Sequence, residues 1–173
     1  LVGINKRSEI SIGASGKIIS GYDIIRAIAL GADWCNSARG FMFALGCIQS
    51  RTCHTDKCPT GVATQDLIRQ RALVVPDKAE RVFAFHQNTV ASLADLIGSA
   101  GLMYPSEITP DYLLYRDSSG KISSLASQLT TLSPGVLLPG SDASLRKDLP
   151  QEYVEYWNRA QTSRFGLAPV STP

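Results

Sequence analysis

Three cysteines fall within twelve residues: Cys47, Cys53 and Cys58, spaced C-x5-C-x4-C. Three thiolates in one short loop can face a common point, and few things other than a metal or a cluster need that. They suit an iron–sulfur cluster of three irons, one cysteine per iron, or a four-iron cubane with its fourth iron held otherwise. The closing Cys58-Pro59 pair matches the cysteine-proline ending of ferredoxin-type runs. Zinc competes, because Cys47, Cys53, His54 and Cys58 could form a Cys₃His set. Against it, adjacent Cys53 and His54 point in different directions, and no C-x2-C pair is present. Unrelated buried cysteines, or one disulfide and a spare thiol, fit the bunching less well. The fourth cysteine, Cys35, lies in a predicted strand and reads as a small buried hydrophobe.

Two glycine loops upstream could bind an anion. Ser15-Gly16-Lys17 and Ala38-Arg39-Gly40 each lie between a predicted strand and a predicted helix, one βα unit apart. Such loops expose backbone N–H groups, and Lys17 and Arg39 add positive charge. In (β/α)8 barrels a phosphate commonly sits in the loops after strands seven and eight. Similar small-residue turns also serve as plain connectors in many α/β proteins.

The elements that must position these residues are readable from pattern. Residues 9–15 read as a strand and 21–30 as a helix, capped by Ser20 with Asp23 three residues on and stopped by Gly31. Residues 32–37 read as a second strand, and Phe41 to Gly46 as a short helix that delivers the chain into the cysteine loop. Two consecutive βα units imply an α/β protein with a parallel sheet. A long helix is predicted from Asp77 to Ile97, with Asp77 and Glu80 at capping-box spacing. Its apolar stripe is Ala79, Val82, Phe83, His86, Val90, Leu93, Ala94 and Ile97, with His86 read as a packed, hydrogen-bonded core residue. After Gly101 the texture turns proline- and serine-rich. Short helices are expected at 110–116 and 150–160, each with proline at its first position. The second would bury Tyr153, Val154, Tyr156 and Trp157. Residues 1–100 thus form one unit, and 101–173 an irregular, partly helical C-terminal extension packed on it.

Composition narrows the function classes. A chain of 173 residues, 44% hydrophobic and 18% charged, is globular, and a net charge of +2 does not argue for nucleic acid. The apolar run Phe41-Met42-Phe43-Ala44-Leu45 is too short to span a bilayer. Four cysteines without a secretory signal favour a reducing, cytoplasmic setting. The start at Leu1 reads as the C-terminal part of something longer, whose missing portion could carry a membrane anchor.

Four motifs in this order carry a resemblance. They are Leu30-Gly31-Ala32-Asp33, Phe43-Ala44-Leu45-Gly46-Cys47-Ile48, Cys53-His54, and Cys58-Pro59-Thr60-Gly61-Val62-Ala63-Thr64-Gln65-Asp66. Together they resemble the FMN-binding synthase domain of glutamate synthases, and more closely the shorter stand-alone FMN-binding proteins of that family, over residues 9–100. The resemblance implies the C-terminal βα units of an FMN-binding (β/α)8 (TIM) barrel. It implies that Ser15, Gly16, Lys17, Ala38 and Arg39 lie at the FMN phosphate, and that Cys47, Cys53 and Cys58 ligate a [3Fe–4S] cluster. The implied reaction passes electrons from ferredoxin or an NAD(P)H-dependent reductase through clusters to FMN. Reduced flavin then converts 2-iminoglutarate, formed from 2-oxoglutarate and ammonia or glutamine nitrogen, to L-glutamate. Where glutamate synthases often carry Asp-Gly-Gly, this chain has Ser15-Gly16-Lys17, and where they carry Gly-Thr it has Ala38-Arg39. Both changes introduce a cation. No residue of this chain stands out as a catalytic acid or base. The rival readings are a non-catalytic cluster-binding or electron-transfer module, a zinc-stapled structural module, and an FMN barrel without a cluster, which leaves the cysteine spacing unexplained.

Overall fold

The computed structural model describes residues 1–141, 146–147, 149–160 and 163. They fall into two compact units: residues 12–127, and residues 1–11 with the described residues from 128 onward.

The larger unit opens with β1 (Gly13–Ser15), α1 (Gly21–Ala29), β2 (Trp34–Asn36) and α2 (Arg39–Leu45). β1 and β2 pair in parallel, with Gly13 opposite Trp34, Ala14 opposite Cys35 and Ser15 opposite Asn36. A parallel pair needs a crossover, which α1 supplies. The strands are shorter than the predicted 9–15 and 32–37, and Arg7–Glu9 is a single 3₁₀ turn. At the ladder's start Asp33 takes over the pairing. Its N–H donates to the Ile12 carbonyl at 2.8 Å, and its carboxylate accepts the Ile12 N–H at 2.7 Å.

The α1 boundaries follow from its caps. Ser20 and Asp23 form a reciprocal capping box, and Gly31, at φ +105°, closes the helix. There the Ala32 N–H donates to the Ala27 carbonyl and the Gly31 N–H to that of Ile28, the Schellman pattern that satisfies the last carbonyls. The same device ends α2: Gly46 turns left-handed at φ +109°, and the Cys47 N–H donates to the Met42 carbonyl at 2.9 Å. Cys47, the first of the three spaced cysteines, is therefore placed by a helix cap.

The short α3 (Leu67–Gln70) precedes α4 (Val75–Ser99). The expected Asp77–Glu80 capping box does not form. Pro76 lies in the first turn, Val74 is the cap residue, and Asp77 pairs with Lys78 at 3.2 Å. The stripe also shifts. The covered line runs through Val82, Phe85, Thr89, Leu93 and Ile97, whereas Ala79, Phe83, His86, Val90 and Ala94 stay exposed. Steps of three and four lead from Val82 to Phe85 or His86, as they lead from Ala79 to Val82 or Phe83, and packing against α2 selects Phe85, whose ring meets Phe41 edge-on at 5.2 Å. His86 is not a core residue: it is exposed and stacks on Phe41 at 6.3 Å.

The core of this unit joins Ile25 and Ala29 of α1 to Ile97 of α4, with Ile108 and Leu113 completing it. Gly21 makes the α1–α4 contact close, since a Cβ there would meet the Leu93 backbone nitrogen at 2.8 Å. The predicted helix at 110–116 is instead a 3₁₀ turn (Pro110–Tyr112) running into β3 (Leu114–Arg116), which pairs antiparallel with β4 (Ile122–Ser124). Asp117 binds the turn through the N–H groups of Ser119 and Lys121, at 2.9 and 3.1 Å.

In the smaller unit, Val2 and Gly3 carbonyls accept the N–H groups of Gly135 and Leu137, and Val136 is fully buried. The Arg146 guanidinium donates to the Val136 and Leu138 carbonyls at 2.9 and 2.7 Å. α5 (Gln151–Arg159) follows Pro150, which is its cap rather than its first helical residue. Tyr153, Tyr156 and Trp157 stay exposed there instead of burying. The end of the expected extension, residues 161–162 and 164–173, lies outside the described residues.

Candidate functional site

A cavity of about 390 Å³ opens where the loop after β1, the loop entering α2 and the cysteine loop converge. Ser15, Gly16, Lys17, Ala38, Arg39, Cys47 and Cys53 all line it. Cys58 does not; it is buried at 6% exposure. The two strand-following loops are tied by the Ser37 hydroxyl, which donates to the Ile18 carbonyl at 2.7 Å. Gly40 lets Phe85 approach the start of α2, because a Cβ there would fall 2.6 Å from its ring.

Cys58 sits in a pocket of hydrogen-bond donors. Its thiol is lowered from an ordinary 9.0 to about 7, first by the Thr60 hydroxyl, then by the amide N–H groups of Ala63, Thr60 and Val62. The Thr60 oxygen is 3.6 Å from the sulfur. Donors around a sulfur favour the thiolate, the form that ligates metal. Cys35 goes the other way: it is half-buried in β2 rather than fully buried, and that burial raises its thiol above the usual value. Among the described residues no three His, Cys, Asp or Glu side chains gather closely enough to hold one metal ion. That holds for Cys47, Cys53 and Cys58 as it does for the Cys₃His set.

Asp56 closes the cysteine loop from behind. Its carboxylate accepts the Gln65 N–H at 2.5 Å and the Thr64 hydroxyl at 3.0 Å, and the Gln65 amide, then the Thr64 hydroxyl, hold its pKa below the ordinary value. Asp66 then caps α3 by accepting the Ile68 N–H at 2.8 Å. These bonds explain two polar positions of the Cys58–Asp66 motif.

Residues 1–103 match the family model described as the conserved region in glutamate synthase. The chain belongs to the glutamate synthase family. Relatives of this chain include the glutamate synthase large subunit-like protein YerD of Bacillus subtilis (strain 168), 42% identical over 116 residues, which cover 67% of this chain and 22% of that protein. Ferredoxin-dependent glutamate synthase 2 of Synechocystis is 37% identical over 97 residues, 56% of this chain and 6% of that protein. An archaeal-type NADPH glutamate synthase of Dehalococcoides mccartyi is 33% identical over 96 residues, 56% of this chain and 19% of that protein. The chain thus spans about a fifth or less of the length of these relatives. No helix among the described residues is long and apolar enough to cross a membrane.

Two polar cavity residues escaped the sequence reading, Gln49 and Arg51. Both lie between Cys47 and Cys53 and have left-handed backbones, at φ +58° and +60°. Such a backbone costs a side-chain-bearing residue about 1–2 kcal/mol. Nothing in composition signals it, since neither is Gly, Asn or Asp; the visible clue is a cation set inside the cysteine spacing.

Proposed function

We propose that this chain supplies the phosphate end of an FMN site and the cysteine loop of a [3Fe–4S] cluster in a glutamate synthase-type oxidoreductase. The supporting observation is the shared cavity, lined by Lys17 and Arg39 of the two loops and by Cys47 and Cys53 of the cysteine loop. The residues suit both groups. Gly16, at φ +97°, has open space where a Cβ would be, so the loop backbone can approach a phosphate. The thiols suit a cluster better than a single ion, because a cluster spaces its thiolates one per iron, and the hydrogen-bond donors around the Cys58 sulfur favour its thiolate form. The parallel β1–β2 pair and its helices would be the last βα units of a (β/α)8 barrel whose other strands lie outside this chain.

When bound, the flavin and cluster supply conversion between single-electron delivery and hydride transfer. The chain's own residues do the placing. Lys17 and Arg39 neutralise the phosphate, the Ser37–Ile18 bond fixes the two loops relative to each other, and the α2 cap sets Cys47. Net reaction adds two electrons and two protons to 2-iminoglutarate, giving L-glutamate. The nitrogen comes from ammonia or glutamine and the electrons from ferredoxin or an NAD(P)H-dependent reductase.

The test is L-glutamate formation by the intact protein from 2-oxoglutarate, with glutamine or ammonium and a reduced viologen as donor. Formation dependent on 2-oxoglutarate and abolished by Cys53→Ser is expected. Viologen oxidation without glutamate, in protein carrying flavin and cluster, would refute the substrate assignment and leave a redox protein acting on something else.

A further inference from the structure

The phosphate loops hold two of the three cations that line the cavity; the third, Arg51, comes from the cysteine loop. Among the described residues none of Lys17, Arg39 and Arg51 forms an ion pair, and no Asp or Glu lines the cavity. Three unpaired cations around one concave surface repel one another unless an anion enters.

Backbone strain falls at the same place. Five non-glycine residues are left-handed among those described: Asn5, Lys17, Gln49, Arg51 and Asp56. Asn and Asp adopt this backbone readily. The remaining three, Lys17, Gln49 and Arg51, all line the cavity. Strained backbone of this kind persists where surrounding structure fixes it, and it clusters at ligand clamps. Alternation of left-handed Gln49 and Arg51 around Ser50 brings both long polar side chains to the cavity wall.

We infer that Arg51, reaching in from the cysteine loop, is a third cation for the same flavin phosphate that Lys17 and Arg39 receive. The inference rests on the flavin reading above. It makes the loop between Cys47 and Cys53 part of the flavin site as well as of the cluster site. Arginine suits the role because its planar guanidinium can donate two parallel N–H bonds to phosphate oxygens and stays charged at every working pH.

The experiment removes flavin from the intact protein and titrates it with FMN and, separately, with riboflavin, which has the same ring and no phosphate. Wild type, Arg51→Gln and Arg51→Lys are compared, with iron content measured on each. Wild type should prefer FMN. Arg51→Gln should weaken FMN about tenfold, or about 1.4 kcal/mol, leave riboflavin and iron unchanged, and be partly rescued in Arg51→Lys. Unchanged FMN binding, or equal weakening of both flavins, would overturn the role of Arg51 while leaving the flavin site standing. Failure of wild type to bind either flavin would remove the flavin reading and this inference together.

Discussion

Gly61 and Gly101 make a matched pair for testing what holds the Cys58 turn. Their backbones are nearly identical, at φ +75° and +76°, but their surroundings differ. A Cβ on Gly61 would stand 2.2 Å from the Arg69 carbonyl oxygen and 3.0 Å from its carbon, whereas one on Gly101 meets nothing within 4 Å. Gly101→Ala should therefore cost only the left-handed backbone, about 1–2 kcal/mol. Gly61→Ala pays the same and must also displace α3 or the turn by about 1 Å, an overpacking cost of about 1–3 kcal/mol. The total is about 2–5 kcal/mol, so the two variants should differ by at least about 1 kcal/mol. The displacement also moves the Val62 and Ala63 amides that face the Cys58 sulfur. Denaturant unfolding of both variants of the intact protein, with iron and sulfide per chain, gives the comparison. Gly61→Ala should be the less stable and should lose the proposed cluster, while Gly101→Ala keeps it. Equal destabilisation with equal cluster content would refute the idea that close contact between the Cys58 turn and α3 holds the third cysteine.

Three further expectations follow from specific contacts. Thr60→Val removes the first cause of the low Cys58 pKa and should move its thiol from about 7 toward the usual range, read as the pH midpoint of alkylation of Cys58 in cluster-free protein. Asp23 has a lowered pKa, first because it accepts the Ser20 N–H. Its stabilisation should thus be full above the ordinary carboxylate value of about 3.9 and be lost as pH falls through the lower folded-state value. The stability gap between wild type and Asp23→Asn should shrink only in that acid window, and a gap constant down to the acid limit would contradict the cap's role. Gly21→Ala forces a Cβ to 2.8 Å from the Leu93 nitrogen. It should cost about 1–3 kcal/mol by separating two backbones that cannot yield as side chains do, measured by thermal unfolding.

Local signals made the βα units legible. Ser20 with Asp23 and Gly31 bounded α1 to within a residue, because caps are short-range chemistry written in adjacent residues. The strands came out shorter than their apolar runs, since a strand's length is set by its partner, and Asp33 replaces the ladder at its start. The α4 stripe was misplaced for a similar reason: both Phe83 and Phe85 satisfy a helical period, and only the Phe41 contact decides between them. The hairpin at Leu114–Ser124 was missed behind Pro110, although Asp117-Ser118-Ser119-Gly120 is a turn sequence. The family resemblance assigned the glycine loops and the cysteines to one flavin and cluster, and the cavity collects Ser15 to Lys17, Ala38, Arg39, Cys47 and Cys53 but not Cys58. Arg51 was not legible, because its place depends on a left-handed backbone that an arginine does not announce.

Low-temperature EPR on the anaerobically purified intact protein, with metal and flavin analysis, bears most directly on the proposed cofactor site. An oxidised-state signal typical of a three-iron cluster, accompanied by bound FMN and absent from Cys53→Ser, is the expected result. Stoichiometric zinc with neither cluster signal nor flavin would mean that Cys47, Cys53 and Cys58 form a structural staple, and that the cavity they border serves another ligand.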